Sequence, residues 1–228
     1  MPMQRKVKVL VVDDSMVFRE VIARGLSSDP FINVVATAQD PFDARDKILK
    51  YQPDVMICDV EMPKMNGIEF LRRLLPQYPI PVIVVSSVSE AVFDAMKAGA
   101  VDFVVKPNFN LAVTTEKFIY ELIEKIKIAS VAQLPSAKQE KTEPRIFESI
   151  KTDSDRIIAI GASTGGTEAI FKIMKSIPNN YPGIVITQHI PPIFSNMFAE
   201  RLNNETRLHC KEAKTGDYVE HGDWKSVV

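Results

Sequence analysis

Asp13, Asp14 and Asp59 stand where apolar runs end. Residues 7–12 (VKVLVV) lead into the Asp13-Asp14 pair, and residues 54–58 lead into Asp59. If those runs are neighbouring strands of a parallel sheet, the three carboxylates meet in one crevice. Adjacent carboxylates repel unless a cation joins them, and a hard divalent ion such as Mg²⁺ with oxygen ligands is the natural partner. Ser86 and Lys106 follow two later apolar runs and add a hydroxyl and a positive charge. Such a set suits a site that binds a phosphoryl group. Any one of these acids reads equally well as a helix cap or a turn residue. The case rests on all five residues falling at strand ends together.

A second group lies further on. Three of the nine glycines fall within residues 161–166, in the run Gly161-Ala162-Ser163-Thr164-Gly165-Gly166 between an apolar stretch and a helical pattern. Glycines there let the backbone turn sharply and approach a ligand. Ser163 then lies near a helix N-terminus, where free N–H groups favour negative charge, so the turn suits a nucleophile or a phosphate site. His189 follows the next apolar stretch. On adjacent parallel strands it would share an edge with Ser163 and could act as its general base. The Walker G-K-[ST] is absent.

The elements that must position these residues alternate. Strand patterns at 7–12, 31–36, 54–58, 81–85 and 101–105 are separated by helical patterns at 15–26, 40–49, 67–75 and 89–98, with a last helix at 111–128. This is an α/β reading: a five-stranded parallel, doubly wound sheet with strand order 2-1-3-4-5, whose ligands sit at the carboxyl ends of the strands. Polar, charged sequence follows and reads as a linker. A second, Rossmann-like α/β unit then starts, with strands at 156–160 and 183–187 and helices at 167–177 and within 191–202. The domain reading is 1–128, a linker at 129–154, and 155–228.

Composition narrows the classes. Apolar residues make up 46% and charged residues 25% of 228, close to globular averages. The net charge of −1 and the lack of a helix-turn-helix pattern argue against nucleic acid as a partner. No apolar run approaches the length of a membrane span, and the N-terminus lacks the pattern of a signal peptide, so a cytoplasmic protein is expected. Two distant cysteines, Cys58 and Cys210, exclude a disulfide scaffold and give no support to a zinc site.

LVVDDS, ICDVEMPKMNG, VVSS and GAVDFVVKP, in this order and spacing, resemble a response-regulator receiver domain over nearly all of residues 5–125. The resemblance implies that Asp59 takes a phosphoryl group from a chemotaxis histidine kinase. It implies Mg²⁺ held by Asp13, Asp14 and Asp59 and by the backbone carbonyl of Glu61. It also makes Ser86 and Lys106 the contacts to phosphoryl oxygens, Phe103 a switch aromatic, and the Lys106–Pro107 bond cis. IAIGASTGGTEAI, QHIPPIFSNMFAERLN and EAKTGDYVEHG are similar to the catalytic domain of chemotaxis protein-glutamate methylesterases. That family hydrolyses glutamate methyl esters on methyl-accepting chemoreceptors and deamidates certain receptor glutamines, using a serine, a histidine and a distant aspartate and no cofactor. Ser163 maps to the nucleophile and His189 to the base, with Thr164 beside them. In the resting family member the receiver covers the esterase site, and phosphorylation relieves that block.

The family's triad aspartate lies in a later segment, so the second domain is expected to be a truncated, N-terminal portion. Residues 223–228 depart from the family pattern, Asp217 reads as a turn residue, and Asp223 reads as part of a frayed terminus. Two functions are weighed on that basis: a phosphorylation-activated methylesterase and deamidase, or a non-enzymatic phospho-receiver module.

Overall fold

The computed structural model describes residues 5–87, 89–107, 112–132, 156–177, 181–219 and 223–227. These fall into two compact units divided at 138/139. Most of the expected linker, from residue 133 to 154, lies outside the described residues.

In the first unit, β1 (Val7–Val12), β2 (Ile32–Ala38), β3 (Val55–Asp59), β4 (Val82–Ser86) and β5 (Asp102–Val105) form a sheet of order β2-β1-β3-β4-β5, and every pairing is parallel. This is the order expected from the sequence. Helices α1 (Met16–Leu26), α2 (Pro41–Tyr51), α3 (Gly67–Leu74) and α4 (Ser89–Lys97) make the four crossovers, and α5 (Ala112–Ser130) follows the last strand. Local chemistry sets their starts. Ser15, Asp40 and Asn66 each accept hydrogen bonds from first-turn N–H groups, and Pro41 occupies the first turn of α2. β3 and β4 are buried along their whole length, as strands covered on both faces must be. Phe18, Ile22 and Leu26 of α1 and Phe118, Leu122 and Ile126 of α5 pack with Val9, Ile57 and Val85 in one core cluster. Phe18 and Phe118 meet edge to face, with ring centroids 5.8 Å apart.

In the second unit, β6 (Ile157–Ala162), β7 (Gly183–Gln188), β8 (His209–Glu212) and β9 (Asp223–Val227) form a parallel sheet of order β6-β7-β9-β8. Helices α6 (Gly166–Ser176) and α7 (Pro192–Glu205) pack against each other. Arg201 of α7 joins them: it pairs with Glu168 of α6 at 3.1 Å and stacks 4.3 Å over the ring of Phe171. β8 and β9 correct the sequence reading, which assigned neither. In particular Asp223 does not belong to a frayed terminus: it opens β9, which runs between β7 and β8 with Asp223 opposite His209. Among the described residues no helix is long and apolar enough to cross a membrane.

Candidate functional site

Parallel pairing brings the carboxyl ends of β1, β3, β4 and β5 to one edge. Val12 is opposite Cys58, Asp59 opposite Val85, and Ser86 opposite Val105. Asp13 therefore follows β1 next to Asp59, while Lys106 follows β5 with its amide 3.0 Å from the Ser86 carbonyl. Carboxylate oxygens of Asp13, Asp14 and Asp59 all lie within 4.8 Å of one another. Asp13 and Asp59 are buried and Asp14 is exposed.

The Lys106 ammonium donates to Asp59 Oδ2 at 2.6 Å and sits 3.0 Å from Asp13 Oδ2. Asp13 Oδ2 makes that ion pair but accepts no hydrogen bond of good geometry. The remaining oxygens are held by backbone: Ser15 N–H donates to Asp13 Oδ1 at 2.9 Å, and Glu61 N–H to Asp59 Oδ1 at 3.1 Å. Burial pushes Asp59 above the usual carboxylate range; Lys106 opposes this, and the charge of Asp13 adds to it. Burial also presses on Lys106, but its contacts to the Asp59 and Asp13 carboxylates and their negative charge outweigh it, so its value rises. Cys58, fully buried beside these acids, is pushed far up, first by burial and then by Asp59 and Asp13. It is an inert thiol inside the sheet.

One lysine against three carboxylates leaves a net negative, all-oxygen cluster. Its size fits a small hard cation, whose ligand oxygens lie roughly 3–4 Å apart in an octahedron. Glu61 borders the cluster through its amide, while its side chain turns to Ser87, whose hydroxyl donates to Glu61 Oε2 at 2.6 Å. Ser86 is buried at the same edge. Phe103 is buried in β5, with the Lys125 ammonium 5.4 Å from its ring centre. The expected cis bond before Pro107 is absent: no cis peptide occurs among the described residues. An X–Pro bond prefers trans by about 0.5–1 kcal/mol, and the Lys106–Pro107 bond keeps that ordinary form.

Several residues of this site carried no signal that sequence reasoning used. Phe18 lies with its ring 4.7 Å below Lys106. Arg19 donates to the carbonyls of Asp13 and Asp14 at 2.6 and 3.0 Å, fixing the loop that carries both acids. Gly67 is bare because a Cβ there would fall 2.1 Å from the Asp59 carbonyl oxygen. Its place directly after the Asn66 cap was the available clue.

In the second unit, Ala162 pairs with Gln188, so Ser163 and His189 follow the paired ends of adjacent strands. The His189 amide donates to the Ala162 carbonyl at 3.1 Å. Ser163 begins a tight turn closed by Gly166 N–H to Ser163 O at 2.7 Å; Gly165, at φ 75° and ψ −5°, has the third-position geometry of a type II turn. Thr164 occupies the second position of that turn, and α6 starts at Gly166. Ser163 and His189 are exposed and share one edge. Gln188, which sequence reasoning passed over, is buried between them. Its amide donates to Ser163 O at 2.9 Å and to His189 O at 3.1 Å. Asp217 is a turn residue, with its carboxylate on Lys211 Nζ and the Lys214 amide.

Residues 9–116 match the response regulator receiver domain family, and residues 158–224 match the CheB methylesterase family. The chain is 54% identical over 220 residues, 96% of its length, to protein-glutamate methylesterase/protein-glutamine glutaminase 2 of Syntrophomonas wolfei, of which the match covers 64%. It is 48% identical over 230 residues to protein-glutamate methylesterase/protein-glutamine glutaminase of Syntrophotalea carbinolica, covering 65% of that protein. The chain thus spans just under two thirds of the length of these curated relatives. Among solved structures it is similar to the response regulator domain of Thermotoga maritima CheB, at 39% identity and a TM-score of 0.53, covering 57% of this chain and 99% of that one. The chain belongs to the response regulator receiver family through its first unit, and its second unit carries a segment that matches the CheB methylesterase family.

Proposed function

We propose that the chain is a phosphorylation-controlled esterase of chemotaxis, in which Asp59 accepts a phosphoryl group and Ser163 with His189 hydrolyses glutamate methyl esters on chemoreceptors. The observation that carries the first half is the Lys106 ammonium at 2.6 Å from Asp59 and 3.0 Å from Asp13, inside a three-carboxylate cluster. Asp13, Asp14 and Asp59, with the Glu61 carbonyl, would hold Mg²⁺. Bound there, the ion neutralises the carboxylates and draws charge from phosphoryl oxygens. An Asp59 oxygen attacks the phosphorus of a histidine kinase's phosphohistidine, and the P–N bond breaks to release the imidazole. The new oxygens are stronger acceptors than the carboxylate they replace, so Lys106 re-aims to them and the Ser86 hydroxyl can follow. Phe103 is the aromatic that would sense that movement.

In the second unit, Ser163 Oγ attacks the ester carbonyl while His189 takes its proton. The same proton leaves on methanol as the C–O bond breaks. Water then hydrolyses the acyl-serine to give glutamate and free Ser163. A receptor glutamine follows the same course with ammonia as leaving group. Both roles are supported by the positions of Ser163 and His189 after paired strand ends and by the names of the curated relatives.

Methanol release from methylated chemoreceptor membranes, with and without acetyl phosphate and Mg²⁺, tests the proposal. Release that Ser163→Ala abolishes and phosphorylation raises is expected, together with labelling that Asp59→Ala abolishes. Labelling of Asp59→Ala at the wild-type level sinks the receiver half, and equal release from Ser163→Ala sinks the esterase half.

A further inference from the structure

We propose that Gln188 is a positioning residue: one buried carboxamide clamps the backbones of Ser163 and His189 together, and Gly166 is bare in order to seat it. The clamp rests on the reading of Ser163 as nucleophile and His189 as base. Gln188 is 4% exposed. Its Nε2 donates to the carbonyl of Ser163 at 2.9 Å and to that of His189 at 3.1 Å. Two carbonyl oxygens can be met only by the NH₂ end of the amide, which fixes its orientation. Strand pairing supplies one link across this edge, His189 N–H to Ala162 O, and that link leaves the Ser163 carbonyl unheld. The Gln188 amide holds it, together with the Gly166 N–H at 2.7 Å.

The other end of the amide explains the glycine. Gln188 Oε1 is buried and accepts no hydrogen bond from a described residue. A Cβ on Gly166 would fall 2.1 Å from that oxygen and 2.7 Å from the Ala162 Cβ. The oxygen therefore occupies the space a side chain would fill at the opening of α6, where the first helical N–H groups carry partial positive charge. Gln188 and Gly166 are one device: the amide spans two strand ends because the helix start leaves room for it. A deviation of about 1 Å in such a pair can lower a rate about 10²-fold.

Gln188→Met keeps length and apolar bulk and removes both donors. Gly166→Ala leaves both donors present and displaces them. Each is expected to lower kcat for methanol release about 10²-fold at unchanged KM, and the double variant to fall no further than either single one. In wild type, the Gln188 side-chain NH₂ protons are expected to exchange with solvent far more slowly than those of exposed glutamines, as read by NMR without reference to activity. Free exchange of those protons overturns the clamp whatever the enzyme does. Protected protons with Ser163-dependent release that Gln188→Met leaves at the wild-type rate also overturn it, while the esterase reading stands. Absence of Ser163-dependent release from the wild-type chain removes the esterase reading and the clamp's role together.

Discussion

The ammonium of Lys106 lies 4.7 Å from the ring centre of Phe18, so the cation that bridges Asp13 and Asp59 also rests on an aromatic of α1. Phe18 meets Phe118 of α5 edge to face, which ties the acid cluster to the core between α1 and α5. Phe18→Leu should keep most of the packing and lose the cation–π contact, about 0.5–2 kcal/mol. Phe18→Ala should be worse by the cavity it leaves, in the range of about 3–5 kcal/mol. Urea unfolding followed by far-UV circular dichroism would rank them. Equal midpoints for wild type and Phe18→Leu would show the contact to be idle.

Asp59 is raised above its ordinary 3.8 by burial, against the pull of Lys106. Its ionisation therefore works against folding. The contribution is favourable below the unfolded value and is lost as pH rises through the folded one. Asp59→Asn escapes that loss. Its thermal midpoint should exceed the wild type's by an amount that grows as pH climbs above 3.8 and then levels off. Added Mg²⁺ should shrink the difference, because it stabilises the ionised wild-type cluster. A difference that is constant with pH would contradict the assignment.

Gly67→Ala should damage the receiver more than its size suggests. The new Cβ would meet the Asp59 carbonyl at 2.1 Å, and that oxygen belongs to rigid backbone. The loop between β3 and α3 must shift, at a cost of about 1–3 kcal/mol. Labelling by acetyl phosphate with Mg²⁺ should slow alongside the loss of stability. Unchanged labelling would mean that the loop moves without moving Asp59.

Arg201 offers a probe of the second unit. It is buried at 7% exposure against Glu168, Glu205 and Phe171. Arg201→Ala removes the cation from a part-buried carboxylate and should destabilise this unit by about 3–5 kcal/mol. Arg201→Met should do less harm, since its stem keeps the stacking surface. Differential scanning calorimetry would follow the unfolding transition of this unit. No shift in that transition for Arg201→Ala would contradict the account.

The first sheet and its acid cluster were legible because each strand is a short apolar run and each functional residue falls just past its end. Asp13, Asp59, Ser86 and Lys106 are set by strand order alone. Phe18, Arg19, Gly67 and Gln188 were not legible, because their roles depend on distances between elements. Gln188 read only as the residue between the end of a strand at Thr187 and His189, and nothing in its neighbours showed two carbonyls converging on it. β8 and β9 were missed for another reason. Four residues, HCKE, and five, DWKSV, are too short and too polar to show a strand period before the sheet they join is known.

The order β6-β7-β9-β8 sets the sequence of events as the chain leaves the ribosome. β8 is made before β9, yet among the described residues β9 is its sole strand partner. Until β9 arrives, β8 has no ladder to join and α7 is the element it packs against. β9 must then enter between two strands already synthesised and form both ladders at once. β9 therefore joins these strands by insertion, and the unpaired edges of β7 and β8 remain open to other chains until it happens.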